Sequence, residues 1–182
     1  MIRLSMGGER LLVMGRCIAA ALLMQGAWLG WTGLAEAAPL DRFAGSFRAS
    51  GTVVEGPKAT AHRARCNFTV EPTGRNRIAL RGTCRAYLVF TRTISARLAL
   101  SGSGRVTGTY TGARVGTAQL AGRLRGGTLE MTVKWPKPLY GDTTANMRIV
   151  SLDPNRLQIL VTDRIGARGP TRQTTDLTLV RR

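Results

Sequence analysis

From Phe43 onward, apolar and polar residues alternate with period 2, and short clusters of Gly, Pro, Asn or Asp punctuate the runs. Successive side chains of a β-strand point to opposite faces, so this alternation marks strands with one face in a core and the other in water. No stretch beyond residue 37 carries the 3.6-residue repeat of a long amphipathic helix. The first run sets Phe43, Gly45, Phe47, Ala49, Gly51 and Val53 inward. The second does the same for Ala64, Cys66, Phe68 and Val70, with Arg63 and Arg65 outward. The third has Ile78, Leu80, Gly82, Cys84, Ala86 and Leu88 inward, and Arg81, Arg85 and Tyr87 outward.

Cys66 and Cys84 both fall on the core-facing phase of their strands. Residues facing each other in a hairpin have position numbers of constant sum. If Cys66 opposes Cys84, then Phe68 opposes Gly82, Val70 opposes Leu80 and Pro72 opposes Ile78, with Thr73 to Arg77 left as a five-residue connection. A directly opposed antiparallel pair is close enough for a disulfide. The bridge predicted here is structural and locks one hairpin.

Further runs follow in the same manner. Ile94, Ala96, Leu98 and Leu100 precede a Ser101–Gly104 turn, then come Val106, Gly108 and Tyr110, and then Ala118, Leu120, Gly122 and Leu124. After Gly126-Gly127 come Leu129, Met131, Val133 and Trp135, and a longer loop is expected before Met147, Ile149 and Ser151. Leu157, Ile159 and Val161 follow Asp153-Pro154-Asn155, and Gln173 to Val180 make the last strand. Nine or ten short antiparallel strands at meander spacing, with Gly recurring on the apolar phase, predict an all-β fold that closes, or nearly closes, into a barrel; a β-sandwich is the alternative.

Residues 1–37 read as a signal peptide. Arg3, Arg10 and Arg16 supply a positive start, Cys17 to Ala35 is almost uncharged, and Ala35-Glu36-Ala37 offers small residues for cleavage after Ala37. The apolar run is nearly long enough for a retained anchor, but Gly26, Gly30, Thr32 and Gly33 interrupt it. The expected product is a single domain over residues 38–182, in the periplasm or secreted, an oxidising compartment that suits the predicted bridge.

Removal of residues 1–37 takes away three of 27 Lys and Arg and two of 10 Asp and Glu, leaving a net charge of +16. Such a domain suits an anionic extracytoplasmic partner: anionic lipid, lipopolysaccharide, acidic polysaccharide or an acidic protein. Nucleic acid is not expected, since export removes the chain from it and no helix-turn-helix, zinc-finger or aromatic ribonucleoprotein motif is present.

Enzyme chemistry has little to stand on. His62 is the only histidine, reads as exposed, and has no Cys, Asp or Glu at ligand spacing, so neither a metal site nor a Ser-His-Asp triad is expected. The mature carboxylates are spread singly, and the Gly-rich stretches do not open helices, so no phosphate loop and no cofactor is expected. The candidate binding residues are Arg63, Arg65, Arg81 and Arg85 on strand faces, Trp135, Lys137 and Tyr140 in the segment Trp135-Pro-Lys-Pro-Leu-Tyr140-Gly-Asp142, and Arg168 and Arg172 in a second cationic loop. Stiff aromatic-cationic loops make good contact surfaces, although Trp135 equally suits the end of a core-facing run.

Several strings resemble those of a family of small exported alphaproteobacterial β proteins that carries no assigned activity. They are Phe43-Ala-Gly45-Ser-Phe47, Arg63-Ala-Arg65-Cys66, Leu80-Arg81-Gly-Thr-Cys84-Arg-Ala-Tyr87, Val106-Thr-Gly108-Thr-Tyr110 and Leu177-Thr-Leu-Val-Arg181-Arg182. More distantly, Gly45-Ser46-Phe47 is similar to the Gly-x-Trp of lipocalin-like barrels. That resemblance implies an Arg from the last strand, Arg181 or Arg182, packed over the aromatic ring. The expected function is non-enzymatic binding of an anionic or amphiphilic envelope component, with a protease-inhibitor-like barrel and a structural envelope protein as alternatives.

Overall fold

The computed structural model describes residues 39–55, 60–86 and 90–182. The segment read as a signal peptide, the cleavage site expected after Ala37, and Tyr87 and Leu88 of the third run lie outside them. Ten strands follow a short 3-10 turn at Asp41–Phe43: β1 (Gly45–Glu55), β2 (Thr60–Gly74), β3 (Arg77–Ala86), β4 (Phe90–Leu100), β5 (Arg105–Thr111), β6 (Ala118–Arg125), β7 (Thr128–Leu139), β8 (Asp142–Asp153), β9 (Arg156–Arg164) and β10 (Thr171–Arg181). Each pairs antiparallel with its neighbours in sequence, and β1 also pairs with β10, which closes the barrel and leaves no free sheet edge.

The predicted hairpin register holds residue for residue: Cys66 faces Cys84, Phe68 faces Gly82, Val70 faces Leu80 and Pro72 faces Ile78. Cys66 and Cys84 are joined as a disulfide with Cα atoms 4.0 Å apart. Gly82 is required by this register, because a Cβ there would run into the Phe68 ring and the Asn67 backbone oxygen. The connection is shorter than the expected five residues. A register shift after Pro72 lets Gly74 pair with Arg77, and Asn76, at φ 59°, turns the chain within two residues.

A second correction concerns Trp135–Asp142, expected as a long loop. β7 runs on to Leu139 with irregular pairing between Lys134 and Leu139, where Pro136 and Pro138 need not donate, and the reversal is the tight pair Tyr140 (φ 57°) and Gly141 (φ 97°).

The interior is graded along the barrel axis. At the end carrying the β2–β3, β4–β5, β6–β7 and β8–β9 turns, Phe47, Val70, Ile78, Leu98, Leu129, Leu157 and Leu179 fill the core. Phe43 is not a strand residue as the alternation predicted. It and Leu40 are buried at the 3-10 turn and plug this end. Arg42 anchors the plug by donating to the Gly126 carbonyl at 3.4 Å. Arg181 lies 4.9 Å from the centroid of the Phe47 ring and donates to the carbonyls of Ala44 (2.5 Å) and Pro154 (3.0 Å), so of the two arginines expected to pack over that ring, Arg181 and Arg182, it is Arg181 that does so. The other half of the interior carries smaller inward residues, among them Ala86, Ala96 and Gly112, and there the barrel is hollow.

Candidate functional site

The hollow half encloses a cavity of about 610 Å³, within the range of roughly 300–1,000 Å³ usual for small-molecule sites. Its lining comes from the ends of β1, β3, β5, β7 and β9 and the starts of β2, β4 and β10, so its mouth lies at the end opposite the plug. The deeper wall is apolar, with Phe68, Leu80, Ile94, Ala96, Met147, Ile149 and Ile159. Several of these also border a narrow space of about 40 Å³ that continues toward Phe43.

Polar groups gather nearer the mouth. Arg92 occupies the inward phase of β4, ahead of Ile94, Ala96 and Leu98, so a guanidinium stands where the alternation calls for an apolar side chain. It pairs with Glu55 at 2.9 Å, both side chains being about a quarter exposed, and donates to the Gly112 carbonyl at 3.3 Å. Asp163 holds the corresponding phase of β9 after Leu157, Ile159 and Val161 and is only 2% exposed. It accepts from the Trp135 indole N–H at 3.3 Å and from the Thr174 hydroxyl. Thr174 reaches it because the β9–β10 register shifts between Gln173 and Thr175. Burial pushes the Asp163 carboxyl above the ordinary carboxylate range, against the pull of the two hydrogen bonds from Thr174 and Trp135.

Two phenols complete the group. Tyr110 meets Trp135 edge-on, with centroids 6.0 Å apart and planes at 70°. Tyr140, at the β7–β8 turn, donates to the Val54 carbonyl at 2.5 Å. Burial raises both phenols to about 12, so each remains a protonated hydrogen-bond donor at any physiological pH. The arrangement is an apolar chamber with the Arg92–Glu55 ion pair and protonated phenols at one end.

The nine candidate binding residues separate into distinct places. Arg63, Arg65, Arg81 and Arg85 are exposed on the outer faces of β2 and β3, with Arg65 directly opposite Arg85. Trp135 and Tyr140 line the cavity. Lys137 is exposed on the outer part of β7, and Arg168 and Arg172 are exposed around the β9–β10 connection. His62, expected to be exposed, is half-buried in the cavity wall, because it shares the inward phase of Ala64 and Cys66. Among the described residues no three His, Cys, Asp or Glu side chains group as a metal site.

Arg92, Glu55, Tyr110 and Asp163 were not among the candidates. Their signal was present all the same: Arg92 and Asp163 are ionisable residues on the apolar phase of otherwise regular strands, and such a residue faces the core unless the register shifts.

No protein-family model matches the chain, and no curated protein matches it significantly. Among solved structures it is similar to the crystal structure of Rv2717c from M. tuberculosis, with a TM-score of 0.62 and 15% sequence identity over 79% of this chain and 94% of that one. At that identity the likeness is one of fold.

Proposed function

We propose that this protein is a non-enzymatic exported carrier that holds one amphiphilic envelope molecule inside its barrel. The observation that supports the reading is a chamber closed at one end by Leu40 and Phe43, apolar in its depth, and furnished with Arg92, Tyr110 and Tyr140 toward the mouth. An acyl or isoprenoid tail would lie along Phe68, Ala96, Met147 and Ile159. Its acceptor head, a carboxylate or carbonyl, would take hydrogen bonds from Arg92 and Tyr110. Export through cleavage after Ala37 belongs to this reading, and the Cys66–Cys84 disulfide is compatible with an oxidising, extracytoplasmic location. The protease-inhibitor alternative needs a free segment leading up to Asp41. Leu40 is fully buried at the barrel end, which favours the carrier.

Titration of the mature protein, its start checked by intact mass, with a fluorescent fatty acid tests the proposal. We expect saturable one-to-one binding that Ala96→Phe abolishes, by filling the chamber, without lowering the melting temperature appreciably. Arg92→Gln should weaken it by about tenfold, the worth of one charged hydrogen bond. Absence of saturable binding, or an Ala96→Phe variant that binds as well as the parent, would overturn it.

A further inference from the structure

Charge is unevenly distributed around the outside of the barrel. On the outer faces of β1 to β4 stand Arg48, Arg63, Arg65, Arg81, Arg85 and Arg97, all exposed, and the carboxylate exposed on the same strands is Glu71. Glu130, Asp142, Asp153 and Asp176 belong to β7, β8 and β10. The outer ion pairs among the described residues, Arg125–Glu130, Arg156–Asp153 and Arg164–Asp142, involve none of those six arginines. Within the array, like charges are set directly opposite one another: Arg65 faces Arg85, and farther round Arg105 faces Arg123. Such pairing is destabilising in the isolated protein and is relieved by an anion bridging the pair.

The spaces between the arginines are small and polar. Ser50, Asn67, Thr83, Thr93 and Ser95 separate them, and among the described residues no aromatic side chain is exposed on these strands. Toward the plugged end, Arg75, Arg77 and Arg105 surround a depression of about 320 Å³ floored by Ala99 and Thr107. Six strands at the usual spacing measure roughly 25 Å around the curve of the ten-strand barrel, so the cations form a convex array of which β2 to β4 can face a single plane.

We propose that the outer wall of β2 to β4 docks on the phosphate-bearing face of an anionic lipid membrane. Arginine forks match phosphate oxygens in pairs, and an array spread across strands suits headgroups spread in a plane. It suits a single polymer strand less well, since that calls for a groove, and the bare wall offers no stacking surface for nucleic-acid bases. Among the described residues no large apolar side chain is exposed on the wall, so the adhesion proposed is peripheral and electrostatic, and it weakens as salt rises. This inference stands apart from the carrier reading, since it uses none of the cavity residues.

Co-sedimentation with phosphatidylcholine vesicles, with and without phosphatidylglycerol, tests it. The parent protein should bind only the anionic vesicles and be released by high salt. The variant Arg65→Glu/Arg85→Glu/Arg97→Glu should lose at least about tenfold in affinity, while Lys134→Glu/Lys137→Glu/Arg172→Glu, which removes the same charge from β7 and β10, should stay within about twofold of the parent. Thermal melts establish that both are folded, and variants with Gln in place of Glu at the same six positions replace any that is not. Equal loss in both variants, no binding by the parent, or capture by a soluble anionic polysaccharide but not by vesicles would each overturn the proposal.

Discussion

Asp163 is a carboxyl buried against an indole N–H and a threonine hydroxyl, with its folded-state pKa raised chiefly by burial. A carboxyl whose pKa is higher folded than unfolded favours folding most when protonated. That contribution is complete below the ordinary carboxylate range and is lost as pH climbs through the raised value. Exposed Asp153 runs the other way: its hydrogen bond from Arg156 lowers its pKa, so its contribution is lost as pH falls. We therefore expect Asp163→Asn to gain in melting temperature relative to the parent as pH rises above the carboxylate range, with Asp153→Asn showing no such gain. Parallel melting profiles for parent and Asp163→Asn would remove Asp163 from the account. At this scale the sequence was partly legible. Arg92 and Asp163 announce themselves by breaking the apolar phase, whereas Thr174 enters the cavity wall through a register shift that no alternation encodes.

At the scale of elements, the β2–β3 register from Cys66 to Pro72 was legible because two constraints, the alternation and the pairing of Cys66 with Cys84, gave the same sum of positions, whereas the shift after Pro72 that tightens the turn was not. Nor was the segment after Trp135. Pro136, Pro138 and Gly141 are loop residues by composition, yet the chain stays extended to Leu139 and turns on Tyr140 in a left-handed conformation that favours Asn or Gly. The Tyr140 hydrogen bond to Val54, made across the barrel mouth, compensates for this and could not be read from local sequence. The disulfide spans 18 positions, for which chain entropy gives about 3 kcal/mol. Cys66→Ser/Cys84→Ser should lower the unfolding free energy by about that amount in urea titrations while keeping the β-rich circular dichroism. A loss well below 1 kcal/mol would mean that the hairpin register is held by Phe68 packed on Gly82 without the bridge.

For the whole molecule, turn spacing gave nine or ten strands in meander order, and glycine recurring on the apolar phase pointed to a closed or nearly closed barrel over a sandwich; ten strands and full closure are observed. The hollow could not be read in this way, since whether a barrel is filled depends on how side chains from all ten strands meet. The plug was missed because Phe43 continues the alternating phase of β1 although it belongs to the turn ahead of it. Leu40→Ala and Phe43→Ala remove large, fully packed side chains, and each should cost on the order of 2–5 kcal/mol. Together they should open a second entrance, seen as faster exchange of a bound fluorescent fatty acid at unchanged stoichiometry; unchanged exchange would mean that the plugged end takes no part in ligand retention. Closure is completed by β1 against β10, the two strands of the barrel farthest apart along the chain. An incomplete chain is therefore a curled ribbon with two raw borders, and no intermediate short of the tenth strand hides both. Until Thr171–Arg181 is in place, both borders stay open to pairing with another chain.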